Sequence, residues 1–366
     1  MEKKQYLFCP GPVNVSEAVK KSLPHLDICH RVPDFEKIML SLQQNLHKIF
    51  KANSEYTILL ITGSGTAANE TVISSFYLNR DHVLLINNGE LGCRLEELLA
   101  IHGIKTTVLS YEWGSLPNLA EIENQLKQDK SITGMAVVFH ETSTGMINPV
   151  KQIGKLSKQY GKTLFVDAVS ALGGEDVEVV RDHIDFCTSS ANKCLASYPG
   201  VGIICAKRSC LEATRHNKIK VAYLNLHRIW EYSEKYHQTP NTPSVTLFIA
   251  LDAAVKHIVE VGLENQINRY RRNANVIRDG IKKMGLRMLL DGEHASNTVT
   301  SVFLPDNVDL DVFIQKLEVK GYTVYSGKRH LRKQGMFQIA NMGAITEEMC
   351  VRFLEVLSDT IKECHA

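Results

Sequence analysis

Tyr56-Thr57-Ile58-Leu59-Leu60-Ile61-Thr62-Gly63-Ser64-Gly65-Thr66-Ala67-Ala68-Asn69-Glu70 runs from an apolar stretch with β-formers, through a glycine turn, directly into a helical pattern. A strand that hands over to a helix within two or three residues is the opening of a βαβ unit. The same rhythm continues to about residue 210, with apolar runs at 56–62, 82–87, 105–110, 134–140, 163–167, 186–189 and 201–206 separated by longer helical patterns. It predicts an α/β fold with a mainly parallel sheet and crossover helices. Several runs end in small or polar residues, among them Gly63-Ser64-Gly65-Thr66, Asn88-Gly89, Glu141-Thr142-Ser143-Thr144-Gly145 and Asp167. Open α/β sheets bind ligands at the carboxyl ends of their strands, so these loops should converge on one site.

Beyond residue 245 the pattern changes. Two long amphipathic stretches, 247–261 and 264–284, precede strand patterns at 298–303, 322–325 and 337–340 and a last helix at 346–363. The expected division is a large domain over 15–250 and a smaller α+β domain over 251–366, the latter joined by the N-terminal segment 1–14.

Bulk properties narrow the function. The chain has 366 residues, 44% of them hydrophobic, and 42 Lys plus Arg against 40 Asp plus Glu. That near balance leaves no electrostatic footprint for nucleic acid or an anionic membrane. The first dozen residues lack the apolar core of a signal peptide, and no apolar run reaches membrane-spanning length, so a cytoplasmic location is expected. Nine cysteines are scattered without zinc-ligand spacing, so no metal is expected.

Three elements carry chemistry. Ser189-Ser190-Ala191-Asn192-Lys193-Cys194 places a lysine just after a strand, where burial or a neighbouring charge could make it a Schiff-base nucleophile. Leu164-Phe165-Val166-Asp167-Ala168-Val169-Ser170 ends the preceding strand in an aspartate, either a helix cap or the carboxylate partner of a cofactor's ring nitrogen. The turn at Gly63 to Thr66 offers backbone N–H groups to an anion at a helix start, yet matches neither the dinucleotide fingerprint nor the P-loop.

Together these segments resemble the class V group of fold-type I pyridoxal-phosphate (PLP) aminotransferases. The likeness extends over Cys9-Pro10-Gly11-Pro12-Val13-Asn14, Leu60-Ile61-Thr62-Gly63-Ser64-Gly65-Thr66 and His140-Glu141-Thr142-Ser143-Thr144-Gly145-Met146-Ile147-Asn148-Pro149. It continues through Val166-Asp167-Ala168-Val169-Ser170-Ala171-Leu172-Gly173-Gly174 and the Lys193 segment. Within the group it is similar to the 2-aminoethylphosphonate:pyruvate aminotransferases, helped by Tyr223-Leu224-Asn225-Leu226-His227-Arg228-Ile229-Trp230, and more distantly to the alanine:glyoxylate (serine:pyruvate) type. A superfamily desulfurase lacks a matching cysteine loop here, and a ligand-binding protein without turnover would not need both Lys193 and Asp167.

The resemblance implies roles. Lys193 would hold PLP and then move the substrate proton, Asp167 would pair with the pyridine nitrogen, Val169 would press on a ring face, and Thr142 would bond the phenolic oxygen. Ser64, Gly65, Thr66 and Asn192 would take the phosphate. A partner subunit of a homodimer would complete that cup through Tyr236-His237-Gln238-Thr239-Pro240-Asn241-Thr242, with Tyr236, Thr239 and Thr242 the expected contacts. Two positions depart from the family: Leu91 stands where relatives stack an aromatic ring, and Gln338 where they bind the substrate's acid group with arginine. Another cation should therefore serve, with Arg31 expected first and the basic run Lys328-Arg329-His330-Leu331-Arg332-Lys333, expected as a loop, second.

Overall fold

The computed structural model of the chain describes residues 5–23, 27–218 and 221–365. The first four residues of the expected N-terminal segment and residue 366 lie outside these. At the centre is a seven-stranded sheet. Its order across the sheet is Tyr56–Thr62, Val201–Lys207, Phe186–Ser190, Thr163–Asp167, Gly134–Val138, His82–Asn87 and Lys105–Ser110. Every neighbouring pair is parallel except the two made by Val201–Lys207, which runs antiparallel to both its neighbours. The cause is the short connection over 191–200, too brief for a crossover helix, so the chain doubles back beside the strand it has just left.

Alternation along the strands divides the core in two. Ile58, Leu60, Leu84, Ile86, Met135, Val137, Leu164 and Val166 bury on one face with the helix Pro33–Ile49, while Leu59, Ile61, Val83, Leu85, Ala136, Val138 and Phe165 bury on the other with the helix Gly65–Phe76. Both faces of the central strands are covered, so they read as continuous apolar runs rather than alternating ones.

The C-terminal part builds a second core around Phe313, Phe337 and Phe353 beneath a three-stranded antiparallel sheet ordered Val299–Phe303, Met336–Ala340, Tyr325–Ser326. Phe8 belongs to that core and stacks on Phe353 at 4.3 Å, and Tyr6–Leu7 pairs in parallel with Tyr322–Thr323. The N-terminal segment is thereby carried across to the carboxyl ends of the large sheet. The expected loop 328–333 is a short helix, Arg329–Lys333. No helix among the described residues is long and apolar enough to cross a membrane.

Candidate active site

The carboxyl ends of the strands meet the C-terminal part in a hollow of about 310 Å³, lined by Pro10, Ser64 to Thr66, Asn69, Glu90, Leu91, Arg94, Thr142, Ser143, Asp167, Val169, Ser170, Ser190, Asn192, Lys193, Tyr325, Lys328 and Gln338. A wider cleft of about 790 Å³, along Val276 to Met284 and Val351 to Asp359, has no buried titratable group. Chemistry needs convergent groups more than room.

Asp167 is buried and closes its strand. Oδ1 accepts from the Val169 N–H at 2.9 Å, and Oδ2 accepts from Asn69 Nδ2 at 2.6 Å. Asn69 is in turn fixed by Thr188 Oγ1, which donates to its Oδ1 at 2.5 Å. Burial pushes the Asp167 carboxyl above its ordinary value, against those two hydrogen bonds and the positive charges of Arg94 and Lys193. A protonated ring nitrogen set against it would supply the cation that keeps it ionised.

Lys193 follows the strand Phe186–Ser190 by three residues, and its ammonium donates to Pro10 O. Burial lowers its pKa, and the charge of Arg94 adds to that effect. Gly11 lies over the amine with φ at +122°, where a Cβ would come within 2.5 Å of Nζ. Tyr325 Oη holds this glycine by donating to its carbonyl at 3.1 Å.

Ser64 caps the helix Gly65–Phe76, accepting from Ala67 N–H on Oγ and from Ala68 N–H on its carbonyl. The N–H groups of Gly65 and Thr66 have no protein acceptor among the described residues, leaving a helix start ready for a phosphate. Gly65 packs against Val169, whose methyls would sit 2.6 and 2.7 Å from an added Cβ, so the turn and the ring-face residue are in register. Thr142 Oγ1 donates to His140 O at 3.3 Å, and Asn192 Oδ1 accepts from Ser190 Oγ at 3.1 Å. An anion cradle at one end, a carboxylate at another and an amine between them suit a flat, phosphorylated pyridine aldehyde. Among the described residues no three His, Cys, Asp or Glu side chains gather as a metal site.

Leu91 and Gln338 line the same hollow. Arg31 does not: its guanidinium donates to Gln238 Oε1 at 2.7 Å, Thr239 O at 2.8 Å and Pro240 O at 3.2 Å. Thr239 and Thr242 border a separate crevice beside Leu60 to Thr62, and Tyr236 is 43% exposed. The structure adds residues that motif reading passes over. Asn69 and Thr188 orient Asp167, and Glu141 holds the start of the helix Glu90–Ile101. Fully buried, Glu141 accepts from Leu91 N–H at 3.1 Å, Gly92 N–H at 3.1 Å and Ser143 Oγ at 2.5 Å. In the sequence Glu141 appears only within the family-like stretch 140–149, with no role of its own.

Residues 16–351 match the family model of class-V aminotransferases. The chain is 34% identical to an uncharacterized aminotransferase of Methanocaldococcus jannaschii over 98% of its length and 93% of the relative. It is 32% identical to a 2-aminoethylphosphonate–pyruvate transaminase of Vibrio cholerae, over 99% of both chains. Among solved structures, ureidoglycine-glyoxylate aminotransferase from Bacillus subtilis superposes with a TM-score of 0.92 at 28% identity, covering 99% of this chain and 94% of that one. A match that spans the Gly63 to Thr66 turn, Asp167, Lys193 and the C-terminal sheet alike makes this chain a member of the class-V aminotransferases, the PLP-dependent transaminases.

Proposed function

We propose that the chain moves an amino group from 2-aminoethylphosphonate to pyruvate, giving phosphonoacetaldehyde and alanine. The observation that carries this reading is the single hollow in which Lys193, Asp167 and the Ser64 to Thr66 turn converge, in a chain similar over its full length to transaminases named for that donor. PLP supplies the electron sink. The chain supplies the rest. Ser64, Gly65, Thr66 and Asn192 would hold the phosphate, Asp167 the ring nitrogen, Thr142 the phenolic oxygen, and Val169 and Leu91 the ring faces. Lys193 would be the covalent anchor. Its amine, whose pKa burial lowers, would take the proton from the amine-bearing carbon once the donor has displaced it. The donor carries no carboxylate on that carbon, so proton loss is the route and decarboxylation is not.

Tyr236, Thr239 and Thr242 stand away from the hollow of their own chain, which supports a two-fold dimer in which each chain completes the other's phosphate cup. Mixed dimers of a Lys193→Ala chain and a Thr239→Ala, Thr242→Ala chain should recover activity that neither parent has.

Borohydride reduction followed by peptide mapping should find the cofactor on Lys193; an adduct on another lysine defeats the anchor assignment. A donor panel against pyruvate, 2-oxoglutarate and glyoxylate should yield phosphonoacetaldehyde with pyruvate. Turnover of alanine with glyoxylate alone would move the chain to the alanine:glyoxylate type.

A further inference from the structure

We infer that the acidic group of the substrate is held by Arg94, with Lys328 as a second cation, in place of the arginine that Gln338 replaces. This rests on the proposed acidic donor and says which side chains recognise it.

Gln338 cannot itself take the anion. It is buried, and its amide nitrogen donates one hydrogen to Thr142 O at 2.6 Å and the other to Ser301 Oγ at 3.1 Å, so both donors of the group are engaged. The helix start at Glu90 is closed as well, because Glu141 occupies the Leu91 and Gly92 N–H groups. Of the cations expected from the sequence, the three arginines are also occupied. Arg31 is bound to the 238–240 turn, Arg332 pairs with Asp311 at 2.6 Å, and Arg329 pairs with Glu90 at 2.7 Å. That last pair has a second effect, since it offsets the charge of Glu90, a carboxylate that lines the same hollow.

Three cations line the hollow: Lys193, Arg94 and Lys328. Lys193 belongs to the cofactor. Arg94 and Lys328 have no carboxylate partner among the described residues, and the side chains of both are exposed to solvent. Arg94 follows Leu91 by three positions on the helix Glu90–Ile101, which puts the two on one face, and its charge is felt at both Asp167 and Lys193. A guanidinium there can meet two phosphonate oxygens with parallel N–H groups, which a lone ammonium cannot.

The test uses the PLP-loaded protein and two probes: ethylphosphonate, which has the acid group and no amine, followed by calorimetry, and 2-aminoethylphosphonate, followed by turnover. Arg94→Gln should weaken ethylphosphonate binding and raise KM about tenfold or more. The bound cofactor should still be visible in the absorbance, kcat should fall by less than KM rises, and Arg94→Lys should recover part of the loss. Lys328→Gln should show a smaller loss in the same direction. If Arg94→Gln leaves both constants within about twofold of the parent while its cofactor spectrum is intact, or if Lys328→Gln alone carries the loss, the assignment to Arg94 is overturned. A parent protein that binds ethylphosphonate through Arg94 yet forms no phosphonoacetaldehyde supports this anion site and defeats only the proposed reaction.

Discussion

Two sets of polar groups in the hollow are finished to different degrees. On the large-sheet side the polar groups are committed to one another before any ligand enters: Thr188 holds Asn69, Asn69 and the Val169 N–H hold Asp167, and Gly65 is locked against Val169. Elsewhere in the hollow Arg94, on the helix Glu90–Ile101 that packs on the same sheet, and Lys328, from the C-terminal part, extend into solvent, with no carboxylate partner among the described residues. A cofactor that stays through many turnovers repays fixed geometry, because each ordered group is ordered once. A substrate that arrives and leaves each cycle is better served by cations that remain hydrated until the anion reaches them.

The contrast can be broken most directly at Asp167. Asp167→Asn keeps the shape and the hydrogen bond from Val169 but removes the charge that would hold the ring nitrogen protonated. Turnover should fall on the order of 10²-fold or more while the phosphate turn still retains PLP. A variant that keeps near-parental kcat would show that the charge is not needed. One step further out, Asn69→Ala removes the side chain through which Thr188 reaches Asp167. Here kcat should drop about tenfold, with KM for the amine donor nearly unchanged. Asn69→Asp is the informative companion, because a second carboxylate beside Asp167 should raise the pH of the ascending limb of kcat. If Asn69→Ala instead raises KM alone, the rigid set serves the substrate and the contrast is lost.

The smallest effect concerns acid stability. His140 is buried, with Nδ1 against Ser170 O at 3.1 Å, and burial holds its pKa down at about 4, with the charges of Lys193 and Arg278 adding to the effect. The unfolded chain binds a proton near 6.5, so below that pH it binds more protons than the folded chain. Stability from this residue is therefore complete above about 6.5 and is lost as pH falls toward 4, about 2 kcal/mol of it by pH 5. His140→Gln should flatten the fall in Tm between pH 7 and 5. An unchanged slope would place the acid-sensitive group elsewhere.

How much of this is legible in the sequence follows from how far each interaction reaches. The runs at 56–62, 82–87, 105–110 and 163–167 are strands with those bounds: the buried ones declare themselves in their own residues, and the half-exposed edge strand Lys105–Ser110 does so through its β-branched Thr106, Thr107 and Val108. The run at 134–140 is instead split, its strand ending at Val138 and His140–Glu141 turning away to pair with Met146–Ile147. The direction of Val201–Lys207 is invisible to hydrophobicity, which is the same read either way; the shortness of 191–200 is what sets it. Lys193, Asp167 and the Gly63 to Thr66 turn stand out because each sits at a strand end in its own motif. Asn69 and Thr188 are 119 residues apart and meet only because the sheet order brings the helix Gly65–Phe76 over the Phe186–Ser190 strand. Arg31 illustrates the converse: its neighbours Asp34 and Glu36 suggest a local ion pair, yet its hydrogen bonds go to carbonyls more than 200 residues away.

The sheet order also sets a timetable for synthesis. Tyr56–Thr62 is an edge strand whose only neighbour in the sheet is Val201–Lys207. The Gly63 to Thr66 turn is thus among the first parts of the hollow to leave the ribosome, yet its strand must wait for Val201–Lys207 before it is paired. At ordinary elongation rates the intervening stretch takes roughly 7 to 30 s to emerge, and for that time a strongly apolar strand has no partner in its sheet. Chains halted before residue 207 should be captured by chaperones through Tyr56–Thr62, and a shorter delay there, obtained by faster codons across 63–200, should raise the soluble yield.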